Sequence, residues 1–487
     1  MKRYYTHSGF KNQLILGFCY LLLSTVCIAN EPHKLTLDKV LQSVTLYYPK
    51  IKIARLEITK AQGAHLSALG TFDPSLDASS RSQPAGGYIN NYGDTQLTVP
   101  TFYNGVKLFA GYRNGNGSWP IYYQNYLTNS GGEYRAGLSL PLLRDRLIDK
   151  ERTNLLTTAE SIEMKKHDAE AIKIKIYQET IKAYWQWVEA GLQLKTFRQL
   201  LKLAQKRQHA IEQQANQGDL PKLAITENLQ QIVQREQLLN QGKMIFEQAG
   251  INLSLYYRDE QGNPKIPSEN SLPSQVLTNP RQLTSGLSQL AHHPSLKKLE
   301  NYSRIIKLKR DLAQNELLPN LDATAYTFKQ NGTGGYPLLL PEAAFIGVSF
   351  KFPVLQREAK GKLIRTQSEL YQIRAEQKFM YEQLKNELTN LYIGIKRIHQ
   401  QVAFLKKEYH LAFKVQQGET QKFHEGDSTL FLVNQREQAT TQVKLNWINA
   451  QVQQEELKDL VRFFSSADIN FPLKKGFGAP KNYGLTK

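Results

Sequence analysis

The sequence predicts a mainly α-helical chain with a small β part, built from two copies of one unit in which strands lead into a long coiled-coil helix. Three observations carry this expectation. "FDPSLDA" at 72–78 returns 245 positions later as "LLPNLDA" at 317–323, with proline, leucine, aspartate and alanine in the same places. Two stretches, 142–217 and 354–425, contain no proline and repeat apolar residues in alternating steps of four and three, the spacing of an amphipathic helical seam. Short segments at the ends of these stretches alternate apolar and polar residues, as half-buried strands do.

The N-terminus comes first. Lys2, Arg3 and Lys11 precede an apolar run at 14–23, followed by Cys27-Ile28-Ala29. A basic start, a short apolar core and small residues make an export signal, and cleavage is expected after Ala29. The rival reading is a lipid anchor on Cys27, for which Val26 is poorly suited. Both cysteines, Cys19 and Cys27, lie in the segment removed. The exported chain then has no disulfide and no thiol metal site. Losing three basic residues takes the formal charge from +19 to +16. The lysines are spread along helices rather than clustered, so nucleic acid is not expected as a partner.

The helical elements follow in order. A helix is expected over 36–71, ending before Pro74. Residues 142–217 span roughly 114 Å and 354–425 roughly 108 Å at 1.5 Å per residue. Their seams are Ala183, Trp187, Ala190, Leu194, Phe197, Leu201, Ala204 and, 208 residues later, Leu391, Ile395, Ile398, Val402, Leu405, Tyr409, Ala412. The same offset lays "GDLP" at 218–221 on "GDST" at 426–429, where the chain turns back. Return helices are expected over 223–258, 281–318 and 429–464. The segment 259–280 holds four prolines and reads as an equatorial linker. The first repeat is thus 30–258, the second 281–464, and 465–487 a tail. The two ends of this path are expected to meet halfway along the rod, opposite the linker.

The β part is expected to hold four strands, two within 72–141 and two within 319–353. "YRAGLSL" at 134–140, "LDATAYTF" at 321–328 and "FIGVSFKF" at 345–352 alternate clearly. Pro74, Pro141, Pro319 and Pro353 mark the junctions between helical rod and strands. The interval from Pro74 to Pro141 is 67 residues against 34 from Pro319 to Pro353. Within 88–134 are eleven aromatics, and "VKLFAGY" at 106–112 alternates like a further strand. This insertion reads either as an enlarged external loop or extra hairpin, or as an aromatic belt at a membrane interface. Four strands cannot close a barrel alone, and open edges find no partner in lipid, so further chains are needed to complete one.

With its duplicated strand–strand–helix–turn–helix order, the strand exits "SLPLL" and "KFPVL", and the tips "GDLPKLAIT" and "GDSTLFLVNQRE", the chain resembles outer-membrane efflux proteins of the TolC family. The likeness covers Leu35 to about Phe464. It implies a homotrimer forming a periplasmic α-barrel and a twelve-stranded β-barrel in outer-membrane lipid. It implies a duct for efflux or type I secretion, with a periplasmic adaptor and an inner-membrane transporter as partners. The docking tips implied are Gly218, Asp219, Leu220, Gly426, Asp427 and Ser428. Many relatives carry acids just past the second tip; Leu432 and Gln435 stand here instead, so a carboxylate gate is not expected.

No catalytic pattern emerges, and no cofactor or metal is expected. "HHP" at 292–294 pairs histidines that face different ways on a helix. His424-Glu425 lacks the second histidine of a zincin motif. "GYRNGNGS" at 111–118 leads into no helix and is a turn. The alternatives to a duct are a periplasmic coiled-coil structural or adaptor protein without a barrel, and a surface adhesin using the aromatic insertion.

Overall fold

In the computed structural model, residues 34–274, 276, 286–334 and 341–464 are described. The expected signal and tail lie outside them, as does part of the linker. Seven α-helices and six strands are present among the described residues. The two longest helices, α3 (Lys150–Gln217) and α6 (Arg357–His424), are each 68 residues, or about 102 Å. They begin later than the sequence suggested. After Pro141 the chain first bonds sideways, Leu142 N–H to Leu321 O and Arg144 N–H to Pro319 O. Asp145 then takes a left-handed turn at φ 66°, and the Asp149 carboxylate caps α3 by accepting from Arg152 N–H.

The return legs are α4 (Leu223–Ser254) and α5 (Pro294–Asn315), and, for the other hairpin, α7 (Leu430–Arg462) and α2 (Pro49–Leu69). The expected single helix over 36–71 is two. α1 (Leu37–Tyr47) stops because Tyr48, preceding a proline, is extended, and Pro49 begins α2 at a position where no N–H is needed. Likewise Pro294 starts α5, preceded by a 3₁₀ turn rather than by more helix.

At the strand end, α2, α3, α5 and α6 lie side by side in that order; towards the tips, α3 packs on α4 and α7, and α6 on α7. The main core is a belt halfway along, where Trp187, Tyr177 and Ile181 of α3 bury against Val40, Leu41 and Val44 of α1 and Phe463. The Trp185 indole N–H donates to Asp459 at 3.0 Å, tying α3 to α7. The linker is part of this belt. Leu35 N–H donates to Ser271 O, and Leu272 fills the space left by Gly191, where a Cβ would stand 2.5 Å away. Leu35 and Phe463, near the two ends of the described residues, therefore meet beside the linker, not opposite it.

The sheet has six strands rather than four. They are β1 (Ser75–Gln83), β2 (Asn90–Pro100), β3 (Lys107–Gly117), β4 (Glu133–Pro141), β5 (Asn320–Gln330) and β6 (Glu342–Lys351). All pair antiparallel in sequence order. The insertion supplies β2 and β3, a hairpin whose residues 90–98 pair with β1 and 107–113 with β4, and "GYRNGNGS", expected as a turn, is instead mostly strand β3. Its turn lies at the helical end. There Phe102 stacks on Phe72 at 4.5 Å, and a Cβ on Gly105 would meet Pro141 and Asp145 O at 2.7 Å.

Candidate functional site

Three regions carry the residues singled out by the sequence, the helical tips, the shaft behind them and the sheet. At both tips a glycine ends the long helix in the left-handed region, Gly218 at φ 87° and Gly426 at φ 85°. Asp219 N–H bonds Gln214 O and Asp427 N–H bonds Lys422 O, both at 2.9 Å, which closes the same six-residue cap twice. Gly218, Asp219, Gly426 and Asp427 are exposed. Leu220 is half-buried against Ile211, Ala224 and Leu430, an apolar cluster joining the two tips. The second tip is held more firmly. Ser428 hydrogen-bonds Glu419, and the Thr429 hydroxyl accepts from Leu432 N–H.

Two to three turns behind the tips lies a buried ionic cluster. Glu437 of α7 is paired with Arg207 of α3 and Arg235 of α4. Arg235 donates to Glu437 Oε2 at 2.8 Å, to Asn434 Oδ1 at 3.2 Å and to Leu200 O at 3.1 Å. Burial pushes the Arg235 guanidinium down, while Glu437 opposes that shift. Leu432 is half-buried and Gln435 exposed, so past the turn the acid on α7 nearest this tip is Glu437, enclosed between arginines. The sequence reading missed this cluster. Its signal was a break in the duplication, since the 208-residue offset sets Glu437 against Leu229, Arg235 against Val443 and Arg207 against Val415.

The seam residues sit on the inner sides of the hairpins. Trp187, Leu194 and Leu201 are buried, and Trp187 stacks on Phe246. Ile395, Val402 and Tyr409 are half-buried, with Tyr409 stacked on Trp447 at 5.4 Å. Pro74 and Pro319 immediately precede β1 and β5, Pro141 ends β4, and Pro353 follows β6.

The register of the sheet separates two faces. One carries Leu76, Leu97 and Val99, Leu108 and Ala110, Leu138 and Leu140, Leu321 and Ala325, and Ile346, Val348 and Phe350. Ile346 is 85% exposed and Leu76 69%. The other face carries Asp77, Arg81, Asp94, Gln96, Arg113, Glu133 and Arg135. Arg135 reaches across Gly111, its neighbour on β3, to Asp94 at 2.7 Å, and Arg113 pairs with Glu133 at 2.7 Å. Beyond β3, the 3₁₀ segment Ile121–Tyr126 folds over this polar face. Trp119 stacks on Tyr126, Tyr126 meets Tyr92 edge-on, and a Cβ on Gly115 would clash with Tyr126 O at 1.8 Å. The aromatics of the insertion thus divide. Trp119 and Tyr126 cover the polar face, whereas Tyr112 and Tyr134 pair on the apolar one.

A sheet with one largely apolar face and one that carries paired charges beside a stack of Phe109, Tyr326, Phe328 and Phe345, mounted on a rod of helices about 100 Å long, has the fold of the TolC-type outer-membrane channels. No family model matches the sequence, and no curated protein matches it. Solved structures do match. The MtrE outer membrane channel of Neisseria gonorrhoeae has a TM-score of 0.64 at 13% identity, over 88% of this chain and 89% of that one. The outer membrane protein VceC of Vibrio cholerae has a TM-score of 0.63 at 14% identity, over 88% and 96%. The CmeC outer membrane channel of Campylobacter jejuni has a TM-score of 0.62 at 13% identity, over 88% and 85%. Among the described residues no helix is long and apolar enough to cross a membrane. No cluster of metal-ligating side chains is found among them either.

Proposed function

We propose that the chain is one third of an outer-membrane duct that passes cargo from a periplasmic adaptor and an inner-membrane transporter to the outside. The observation that carries this is the sheet. Its apolar face suits lipid, its charged face suits a water-filled lumen, and its two edges need partners that only other chains can supply. A periplasmic coiled coil without a barrel has no use for Ile346, Val348 and Phe350 standing open to water. Three copies contribute four helices each at any level, enough for a closed tunnel. The exposed tips at Gly218-Asp219 and Gly426-Asp427 are the surfaces offered to an adaptor.

Electron microscopy of protein extracted by detergent from the membrane fraction tests the reading. The expected particle is a threefold cylinder about 130 Å long, the helical rod plus a bilayer crossing. Recovery as a slender soluble monomer overturns it.

A further inference from the structure

We propose that the β2–β3 hairpin is part of the barrel wall, so that three copies close an eighteen-stranded barrel, with β6 of each copy pairing to β1 of the next. The inference rests on the duct reading above and goes beyond the twelve strands that the resemblance implies.

Four observations support it. The first is continuity. β2 and β3 are hydrogen-bonded between β1 and β4 along 9, 11 and 7 residue pairs, with no break in the sheet. The second is the alternation. Leu97, Val99, Leu108 and Ala110 extend the apolar face of the flanking strands, while Gln96, Asp94 and Arg113 extend the polar one. A hairpin folded away as a surface loop has no need of a lipid face in register with its neighbours. The third is strand parity. Adding a two-stranded hairpin keeps the number even, so β1 and β6 still run in opposite directions and their free edges can meet antiparallel when copies close a ring.

The fourth is the fit of sheet to shaft. Four strands continue helices directly: α2 leads to β1, β4 to α3, α5 to β5, and β6 to α6. Those helices touch in the order α2, α3, α5, α6. Twelve helices about 9 Å apart make a ring of about 110 Å circumference. Twelve strands about 4.8 Å apart, tilted about 40–45°, make only about 75–80 Å, whereas eighteen make about 115–120 Å. The inserted hairpin therefore brings the wall to the girth of the shaft. Its turn is wedged where that extra width is needed, with Phe102 on Phe72 at the end of α2 and Gly105 against Pro141 at the exit to α3. At equal tilt the barrel is about 1.5-fold wider than one of twelve strands.

The experiment is cryo-electron microscopy of the full chain in lipid nanodiscs, paired with spin labels at Leu108→Cys on β3 and Leu138→Cys on β4. The expected result is a threefold particle with eighteen strands in cross-section, and equal, lipid-like oxygen accessibility at both labels. A threefold particle with twelve strands, or a label at 108 that meets water while that at 138 meets lipid, overturns the proposal and leaves the duct intact. A particle without threefold symmetry overturns the duct reading itself.

Discussion

Arg235 and Glu437 meet at 2.8 Å where α4 and α7 approach each other behind the tips, each almost wholly enclosed. The contact binds the first hairpin to the second, and Arg207 adds a second guanidinium to the same carboxylate. Removing one partner of a buried pair leaves the other charged and unsolvated, at a cost of about 3–5 kcal/mol. Glu437→Ala is therefore expected to lower the denaturation midpoint strongly. Joint replacement of Glu437, Arg207 and Arg235 by apolar residues of similar volume should recover much of that loss. A single variant as stable as the parent shows that the pair fastens nothing.

At the tips the glycines are needed for their backbone angle rather than for space, because no atom lies within 4 Å of a Cβ built on Gly218 or Gly426. Asparagine tolerates the left-handed region, whereas a β-branched residue there costs on the order of 1–3 kcal/mol. Gly218→Asn and Gly426→Asn should keep assembly and transport, while the valine variants should weaken both. Equal behaviour of asparagine and valine rules the cap out as the reason for glycine.

His293 is expected to give the molecule a pH dependence on the acid side of neutrality. It is 5% exposed, beside Phe464, and its Nδ1 accepts from Ser295 N–H at the start of α5. Burial holds its pKa below the usual histidine value, with a backbone hydrogen bond involving Phe464 opposing. The folded state thus prefers the neutral ring. Its contribution is complete above about pH 6.5 and is lost as pH falls through the lower folded-state pKa. Thermal melts from pH 7.5 to 5 should show this loss in the parent and a flatter profile in His293→Asn, which keeps a capping oxygen.

Within the sheet, Gly137 lies between Phe109 and Tyr326, and a Cβ there would stand 2.4 Å from the Tyr326 Cβ. Gly137→Ala should force β4 from β5 and reduce the heat-modifiable, membrane-inserted form on gels. Gly347→Ala, with open space around it, should leave that form unchanged.

The rod was legible in the sequence because its signals are strong and occur twice. Two proline-free stretches, two Gly-Asp turns and a constant offset of 208 residues left little freedom. The strands were harder to count. β1, "SLDASSRSQ", places Ser80 and Ser82 beside Leu76 and Ala78 on the apolar face, and β2 places Gly93 and Thr95 there. Barrel strands carry a weak signal per segment, and here it falls below notice until pairing reveals it. The ionic cluster was hidden for another reason. A charge on a long helix ordinarily reads as solvated, and only the helix packed against it decides that Glu437 is inside.

The belt has a consequence for the topology of the whole molecule. Arg462 at the end of α7 pairs with Asp38 at the start of α1 at 3.1 Å, while Leu35 bonds the linker at Ser271. Elements α1 to α7 thus form a closed loop with its cut at the waist, and the linker is a second seam at the same height. Chain order is then a matter of where the loop is opened. A circular permutant that joins residue 464 to residue 34 through a short spacer, and starts within the linker instead, should assemble the same object from the same parts read in a different order.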